Sequence, residues 1–263
     1  MVQDILSQIV ADKRIEVARS KALLPYDDLR ASLPPVSVRR SMSEALLTSK
    51  SGIISEFKRK SPSKGWIHED ADPVAVIPSY QAGGASALSI LTDSKYFGGS
   101  LDYIRRVRQL VDIPILRKDF IIDEYQLLEA RSVGADAVLL IASCLSLEEC
   151  RSLADKAHEL GLEVLLETHS LSEMPYAALG ADMIGINNRN LGTFHTDVQN
   201  SFRLAEALKD SAAGKVLVSE SGISDPATVR ELRLRGFRGF LMGENFMKEA
   251  APGLALSDFI AAL

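Results

Sequence analysis

The chain is predicted to be an α/β protein, a (β/α)8 TIM barrel with an extra N-terminal helical extension. Three observations predict this. Apolar runs of strand length alternate with helical segments. Every second run ends in ionisable residues, at Glu56-Phe57-Lys58, Leu116-Arg117-Lys118, Leu166-Glu167 and Ser219-Glu220. The runs between them each open on a glycine, Gly84, Gly134, Gly180 and Gly236. Glycine there reads as the left-handed stop of a preceding helix, so a helix stands before each of these strands and another after it. Strands joined by helical crossovers run parallel. A doubly wound open sheet is the alternative. Closure is favoured because the strand-pair repeat runs throughout the barrel and polar strand ends occur all along it. A length of 263 residues with 46% hydrophobic content suits one barrel domain over residues 1–263, since such barrels commonly take about 250 residues.

Residues 1–48 read as the helical extension. Ile5, Leu6, Ile9 and Val10 form a helical stripe, with Asp12, Lys13, Arg14, Glu16 and Arg19 mostly on other faces. Leu33-Pro34-Pro35 breaks this segment, and Ser41 or Ser43 can cap a further short helix. The barrel starts near Ile53. Apolar spacing, caps and prolines predict helices over 73–82, 101–110, 124–133, 147–160, 171–179, 198–209, 226–235 and 256–262. The start lacks the basic leader and long apolar stretch of a secretion signal. No apolar run approaches the roughly 18 residues of a membrane span. These features point to a cytoplasmic protein without a membrane partner. A net charge of −5 argues against a nucleic-acid partner. Cys144 and Cys150 lack metal spacing and fit a reducing compartment. His68, His158, His169 and His195 are scattered and read as ordinary surface or packing residues, so no metal is expected.

The polar strand ends carry the chemistry. Side chains alternate along a strand, so Glu56 and Lys58 point to one side and bring an acid and a base to the C-terminal mouth. Lys58 through Lys64, interleaved with Ser61-Pro62-Ser63 and followed by Gly65, suits anion capture. In a closed barrel alternate strands supply one layer of four side chains. Glu56, Lys118, Glu167 and Glu220 end the odd strands and are candidates for that layer. Burial and like-charge proximity should push their pKa values apart, as acid–base work requires. A structural salt-bridge ring is the competing reading, but Lys58 exceeds what neutralisation needs. Gly185 leaves space inside the barrel beside Asn187, which can orient a bound group, and Arg189 offers a planar fork for a carboxylate. Ser221-Gly222 and Gly243-Glu244, in consecutive strand–helix loops, suit a phosphate, and a short helix is expected to begin near Glu244. Trp66, Phe97 and Phe120 are placed to cover an aromatic substrate.

Taken together, these segments resemble the indole-3-glycerol-phosphate synthase family over essentially the full length. The specific motifs are Glu56-Phe57-Lys58-Arg59-Lys60-Ser61-Pro62-Ser63 and Leu116-Arg117-Lys118-Asp119-Phe120, supported by Ala11-Asp12-Lys13-Arg14, Tyr96-Phe97-Gly98-Gly99-Ser100, Ile186-Asn187-Asn188-Arg189, Glu220-Ser221-Gly222-Ile223 and Gly243-Glu244. The resemblance implies closure of a carboxyphenylamino-deoxyribulose 5-phosphate to indole-3-glycerol phosphate with loss of carbon dioxide and water. It implies no cofactor and a monomer. By the same resemblance Lys118 is the general acid and Glu167 the base. Lys58 holds an anionic end of the substrate and shares the acid role, Glu56 orients the lysines, and Asn187 supports them. Arg189, Ser221, Ser61, Phe97, Phe120 and Glu220 are assigned to substrate binding, and Gly222, Gly243 and Glu244 to phosphate. Met174-Pro175 departs from the family pattern and predicts a shortened or displaced helix there. The competing readings are a sugar-phosphate isomerase resembling phosphoribosylanthranilate isomerase, and a non-catalytic barrel that binds a phosphorylated ligand.

Overall fold

The computed structural model describes residues 5–35, 40–190, 195–208, 212 and 214–263. Three helices precede the barrel: α1 (Ile5–Leu23), α2 (Tyr26–Ala31) and α3 (Met42–Thr48). The chain then runs β1 (Ile53–Phe57), a small antiparallel hairpin of β2 (Lys60–Ser61) and β3 (Gly65–Trp66), α4 (Pro73–Ala82), β4 (Ala87–Leu91), α5 (Ser94–Phe97), α6 (Leu101–Val107), β5 (Ile115–Lys118), α7 (Glu124–Val133) and β6 (Ala137–Ile141). It continues α8 (Leu147–Glu159), β7 (Glu163–Thr168), β8 (Met183–Asn187), α9 (Gln199–Leu208), β9 (Val216–Glu220), α10 (Pro226–Leu234), β10 (Phe237–Met242), α11 (Glu244–Met247) and α12 (Pro252–Ala261).

All strands but the hairpin join one closed parallel barrel in the order β1-β10-β9-β8-β7-β6-β5-β4. Closure is made by β1, which pairs Ile53 with Phe240 on one side and Ile54 with Ala87 on the other. Alternation along the strands sorts their side chains into two apolar sets. Ile54, Leu116, Leu139, Leu165, Met183, Val218 and Leu241 form one cluster with Met42 and Leu46 of α3. Ile53, Leu88, Ile115, Val138, Leu140, Val164 and Ile184 form the other with the surrounding helices. Glu163, at the start of β7, accepts the N–H groups of Met42 (2.6 Å) and Ser43 (3.0 Å) and so pins α3 to the N-terminal end of the strands. That end is therefore plugged, and the opposite mouth is the one left to bind a ligand.

Most helices lie within a residue or two of their expected ranges, though the one expected over 101–110 is α-helical only to Val107 and ends in a 3-10 turn at Arg108–Leu110. They begin at side-chain caps: Asp72 for α4, Ser100 for α6, Asp123 for α7, Ser146 for α8 and Asp225 for α10. The cap of α3 is Ser41. Some expectations need correction. Leu171–Ala178 is a 3-10 helix containing Pro175, because proline lacks the N–H that an α-helix interior uses. Gly84, Gly134 and Gly236 have positive φ, as expected of helix stops, whereas Gly180 does not, since the 3-10 helix before it ends in extended backbone at Leu179. The last helix starts earlier, at Pro252. Residue 209, the expected end of the helix that is observed over Gln199–Leu208, lies outside the described residues.

Candidate active site

The four strand-end residues meet at the mouth. Lys118 Nζ lies 2.8 Å from Glu220 Oε2 and 3.7 Å from both Glu56 Oε2 and Glu167 Oε2. Lys58, two residues past Glu56 on the same side, reaches Glu56 Oε1 at 2.8 Å. The packing depends on two glycines. A Cβ on Gly185 would stand 2.2 Å from Glu220 Oε1, and one on Gly243 would stand 2.6 Å from Glu56 Oε1. Glycine is required at each because a carboxylate passes directly over the backbone.

Burial dominates the electrostatics of this ring. Desolvation alone would raise the Glu56 pKa, but Lys58 and Lys118 outweigh it and hold the carboxyl below its ordinary value. Glu167 is likewise buried, and His169 and Lys118 more than offset the burial, so it too is lowered. Glu220 goes the other way: burial, with Glu167 nearby, raises it despite Lys118. Burial works against the Lys118 ammonium, yet Glu220, Glu56 and Glu167 together push its pKa up. The ring therefore holds a proton-loaded ammonium, an ionised carboxylate at Glu167 and a carboxyl at Glu220 that retains its proton more readily. Carboxyls pushed apart in this way can take different roles in proton transfer.

Above the ring opens a cavity of about 480 Å³, within the usual range for small-molecule sites. Glu56, Lys58, Lys118, Glu167 and Asn187 line its floor. Ser221, Gly222, Gly243 and Glu244 line it too, as do Arg189, Lys64 and Lys248. Ser221 (φ 68°) and Gly222 (φ 75°) are successive left-handed residues, and Ser221 is the only such non-glycine among the described residues. Arg189 donates to Ser63 Oγ at 3.3 Å, which ties the loop after β8 to the basic loop after β1. Lys64 pairs with Glu244. Phe97 and Phe120 face the cavity as a ring pair 6.1 Å apart.

Two expected residues lie off the lining. Ser61 is buried in the hairpin with a hydroxyl that lacks a hydrogen-bond partner, and Glu220 sits beneath the floor, fully buried. Trp66 is also displaced: it is half exposed and packs against Arg59, Lys60 and Gly98. Other residues at the site were given no role there by sequence reasoning. Ile5, Leu6 and Ile9 of α1 line the cavity, so the stripe read as packing also forms a wall. Lys13, grouped with the polar faces, is 1% exposed and bonded to Asp93 (2.9 Å) and Asp119 (3.0 Å). His169, read as an ordinary histidine, approaches Glu167 at 3.2 Å. The strand alternation that found Lys58 after Glu56 would have found it. Among the described residues no group of three or more His, Cys, Asp or Glu is arranged to hold a metal.

Comparison with known proteins agrees with this geometry. A family model described as Indole-3-glycerol phosphate synthase matches residues 6–259. An indole-3-glycerol phosphate synthase of Bacteroides thetaiotaomicron is 62% identical over 262 residues, covering all of both chains. One of Rhodopirellula baltica is 44% identical, covering 98% of this chain and 99% of its own. Among solved structures, the tryptophan synthase alpha subunit of Legionella pneumophila superposes with a TM-score of 0.62 at 16% identity, covering 86% of this chain and 98% of its own, a likeness of fold. A motif set that spans the whole length, a barrel of this topology and relatives of this identity lead to one conclusion: the chain belongs to the indole-3-glycerol phosphate synthase family.

Proposed function

We propose how this family member, a carboxy-lyase of tryptophan biosynthesis, closes 1-(2-carboxyphenylamino)-1-deoxyribulose 5-phosphate to indole-3-glycerol phosphate at the barrel mouth. The ring carbon bearing the carboxylate bonds to the ketone carbon while the Lys118 ammonium protonates the ketone oxygen. Carbon dioxide then leaves, and the electrons of its bond to the ring restore aromaticity. The new hydroxyl departs as water with a second proton, and Glu167 takes a proton from the methylene beside nitrogen to complete the indole. Each positioned acid or base is worth roughly 10²–10⁴ in rate.

The remaining residues orient the substrate. Lys58 and Arg189 hold its carboxylate and share the cationic side of the cavity, with Lys58 also able to supply a proton. Glu56 holds the two lysines in place, and Asn187 braces Glu167. Phe97 and Phe120 together form the apolar wall for the aromatic ring, while backbone amides at Gly222, Gly243 and Glu244, with Ser221, receive the phosphate. Glu220 acts from below by fixing Lys118, and Ser61 acts through the loop that carries Lys58. Anchoring both anionic ends supplies the alignment that closure needs. We also propose a single domain over residues 1–263 with its extension over 1–48, acting as a monomer in the cytoplasm.

The observation that carries the reading is Lys118, an ammonium within 3.7 Å of three carboxylates and facing the cavity. It is tested with substrate labelled in the carboxylate. Labelled carbon dioxide and indole-3-glycerol phosphate are expected in equal amounts. Isomerisation of phosphoribosylanthranilate with no indole product would instead favour the isomerase, and binding without turnover of either would favour the non-catalytic barrel.

A further inference from the structure

Three strand ends share one construction, a polar residue followed two positions later by a potentially cationic one: Glu56 and Lys58, Asn187 and Arg189, Glu167 and His169. All but His169 line the cavity, while His169 lines the hollow beside it. Alternation aims both members of each pair to the same side. In the third pair the imidazole is wedged between two carboxylates, with Nε2 3.2 Å from Glu167 Oε1 and Nδ1 3.8 Å from Glu173 Oε2. Its side chain is only 11% exposed. Both ring nitrogens are buried, Nε2 against Glu167 and Nδ1 against Glu173. Glu173 is itself fixed, because its carboxylate accepts the N–H groups of His169 (2.5 Å) and Ser170 (3.3 Å). Asn200 holds the same turn by donating to the His169 carbonyl at 3.1 Å.

We propose that His169 is a positioning residue for ring closure, a buried cation that keeps the Glu167 carboxylate ionised and aimed into the cavity. The inference rests on Glu167 being the base. A base has to start without its proton, and Glu167 is buried, a condition that favours the neutral acid. Lys118 opposes this from one side at 3.7 Å, but it is shared with Glu56 and Glu220. His169 opposes it from the other side and, among the described residues, shares its charge with one further carboxylate, Glu173. Burial works against the imidazolium, yet Glu167 and Glu173 raise its pKa to about 10, so the charge persists at neutral pH. The outer cavity beyond His169 and Glu173 carries Arg189, His195, Asp197 and Arg203 on its walls, a set of mixed charge, and Glu167 and Glu173 are the carboxylates in contact with the imidazole.

The test measures kcat and KM from pH 5 to pH 9 for wild type, His169→Asn, Glu173→Gln and Glu167→Gln, with thermal unfolding to verify folding. For His169→Asn the ratio of kcat at pH 5 to kcat at pH 8 is expected to fall at least threefold below that of wild type, with KM changed less than twofold. Glu173→Gln keeps the imidazole, which is protonated at pH 5 with or without that carboxylate, so its ratio is expected to stay within twofold of wild type. His169→Gln, measured alongside, carries the test should His169→Asn not fold, with the same threefold fall expected. Unmoved ratios in the folded His169 variants overturn the inference, as does a loss of kcat equal at every pH, the mark of a merely structural role. Full activity in Glu167→Gln strikes the assignment of the base itself, and the inference falls with it.

Discussion

Lys118 turns into the barrel while Arg117 and Asp119, its neighbours on either side, turn into the wall, so a single strand end feeds two buried charge clusters. In the wall, Lys13 meets Asp93, Asp119 and Glu16 at 2.9–3.0 Å. Arg117 meets Asp119 at 3.1 Å and Glu129 at 3.2 Å, and also donates to the Gln126 carbonyl and to Thr92 Oγ1. At the mouth, Lys118 has one close carboxylate and two at 3.7 Å, and Glu220 Oε1 has no hydrogen-bond partner. The wall cluster is closed, because its buried charges are matched at hydrogen-bond distance, and its work is to hold α1 against the barrel. The mouth cluster is open. It sets Lys58 and Lys118 against three carboxylates and faces a cavity, so bound substrate can alter its contacts. A complement of opposite charges is thus a poor guide to function, whereas slack contacts beside a cavity are a better one.

Three substitutions would break or sharpen this contrast. The largest effect is expected at the mouth, where Glu167→Gln should lower kcat by about a hundredfold or more, read as indole formation at saturating substrate, with cooperative unfolding retained. In the wall, Lys13→Met leaves buried Asp93 without a cation and Asp119 with Arg117 alone, and should cost about 3–5 kcal/mol of stability, read by urea unfolding, while kcat falls less than tenfold. The smallest effect is pH-dependent. Burial would raise the Asp119 pKa, but Arg117 and Lys13 bring it down to about 2 from 3.8. A carboxyl lowered on folding contributes stability above its unfolded pKa and loses that contribution as pH falls through the folded one. The stability gap between wild type and Asp119→Asn should therefore be full at pH 6 and narrow between pH 4 and pH 2. A gap independent of pH would mean that Asp119 is not held by charge.

The contrast also separates what was legible in the sequence from what was not. Strand alternation and the helix caps are local, and they yielded the barrel, its order and the ring of Glu56, Lys118, Glu167 and Glu220. The same local rule was applied to Lys58 but not to His169, whose residue type carries no fixed charge and so drew no attention beside a carboxylate. Lys13 was out of reach for a different reason. Its partners Asp93 and Asp119 are about eighty and a hundred positions away, and nothing in a helix's own periodicity says where a barrel wall will meet it. The off-lining places of Ser61 and Trp66 depend on the hairpin after β1, two residues per strand, too short to leave a pattern. The 3-10 turn at Leu171–Ala178 was foreseeable from Pro175 because proline acts within one turn.

The most direct test compares Lys118→Met with Lys13→Met in one indole-fluorescence assay, at saturating substrate and with EDTA present. Each variant removes one buried ammonium, from the mouth and from the wall. Loss of kcat by a hundredfold or more in Lys118→Met, against less than tenfold in folded Lys13→Met, is the expected result. Near wild-type turnover in Lys118→Met, or an equal loss in both, would contradict the account.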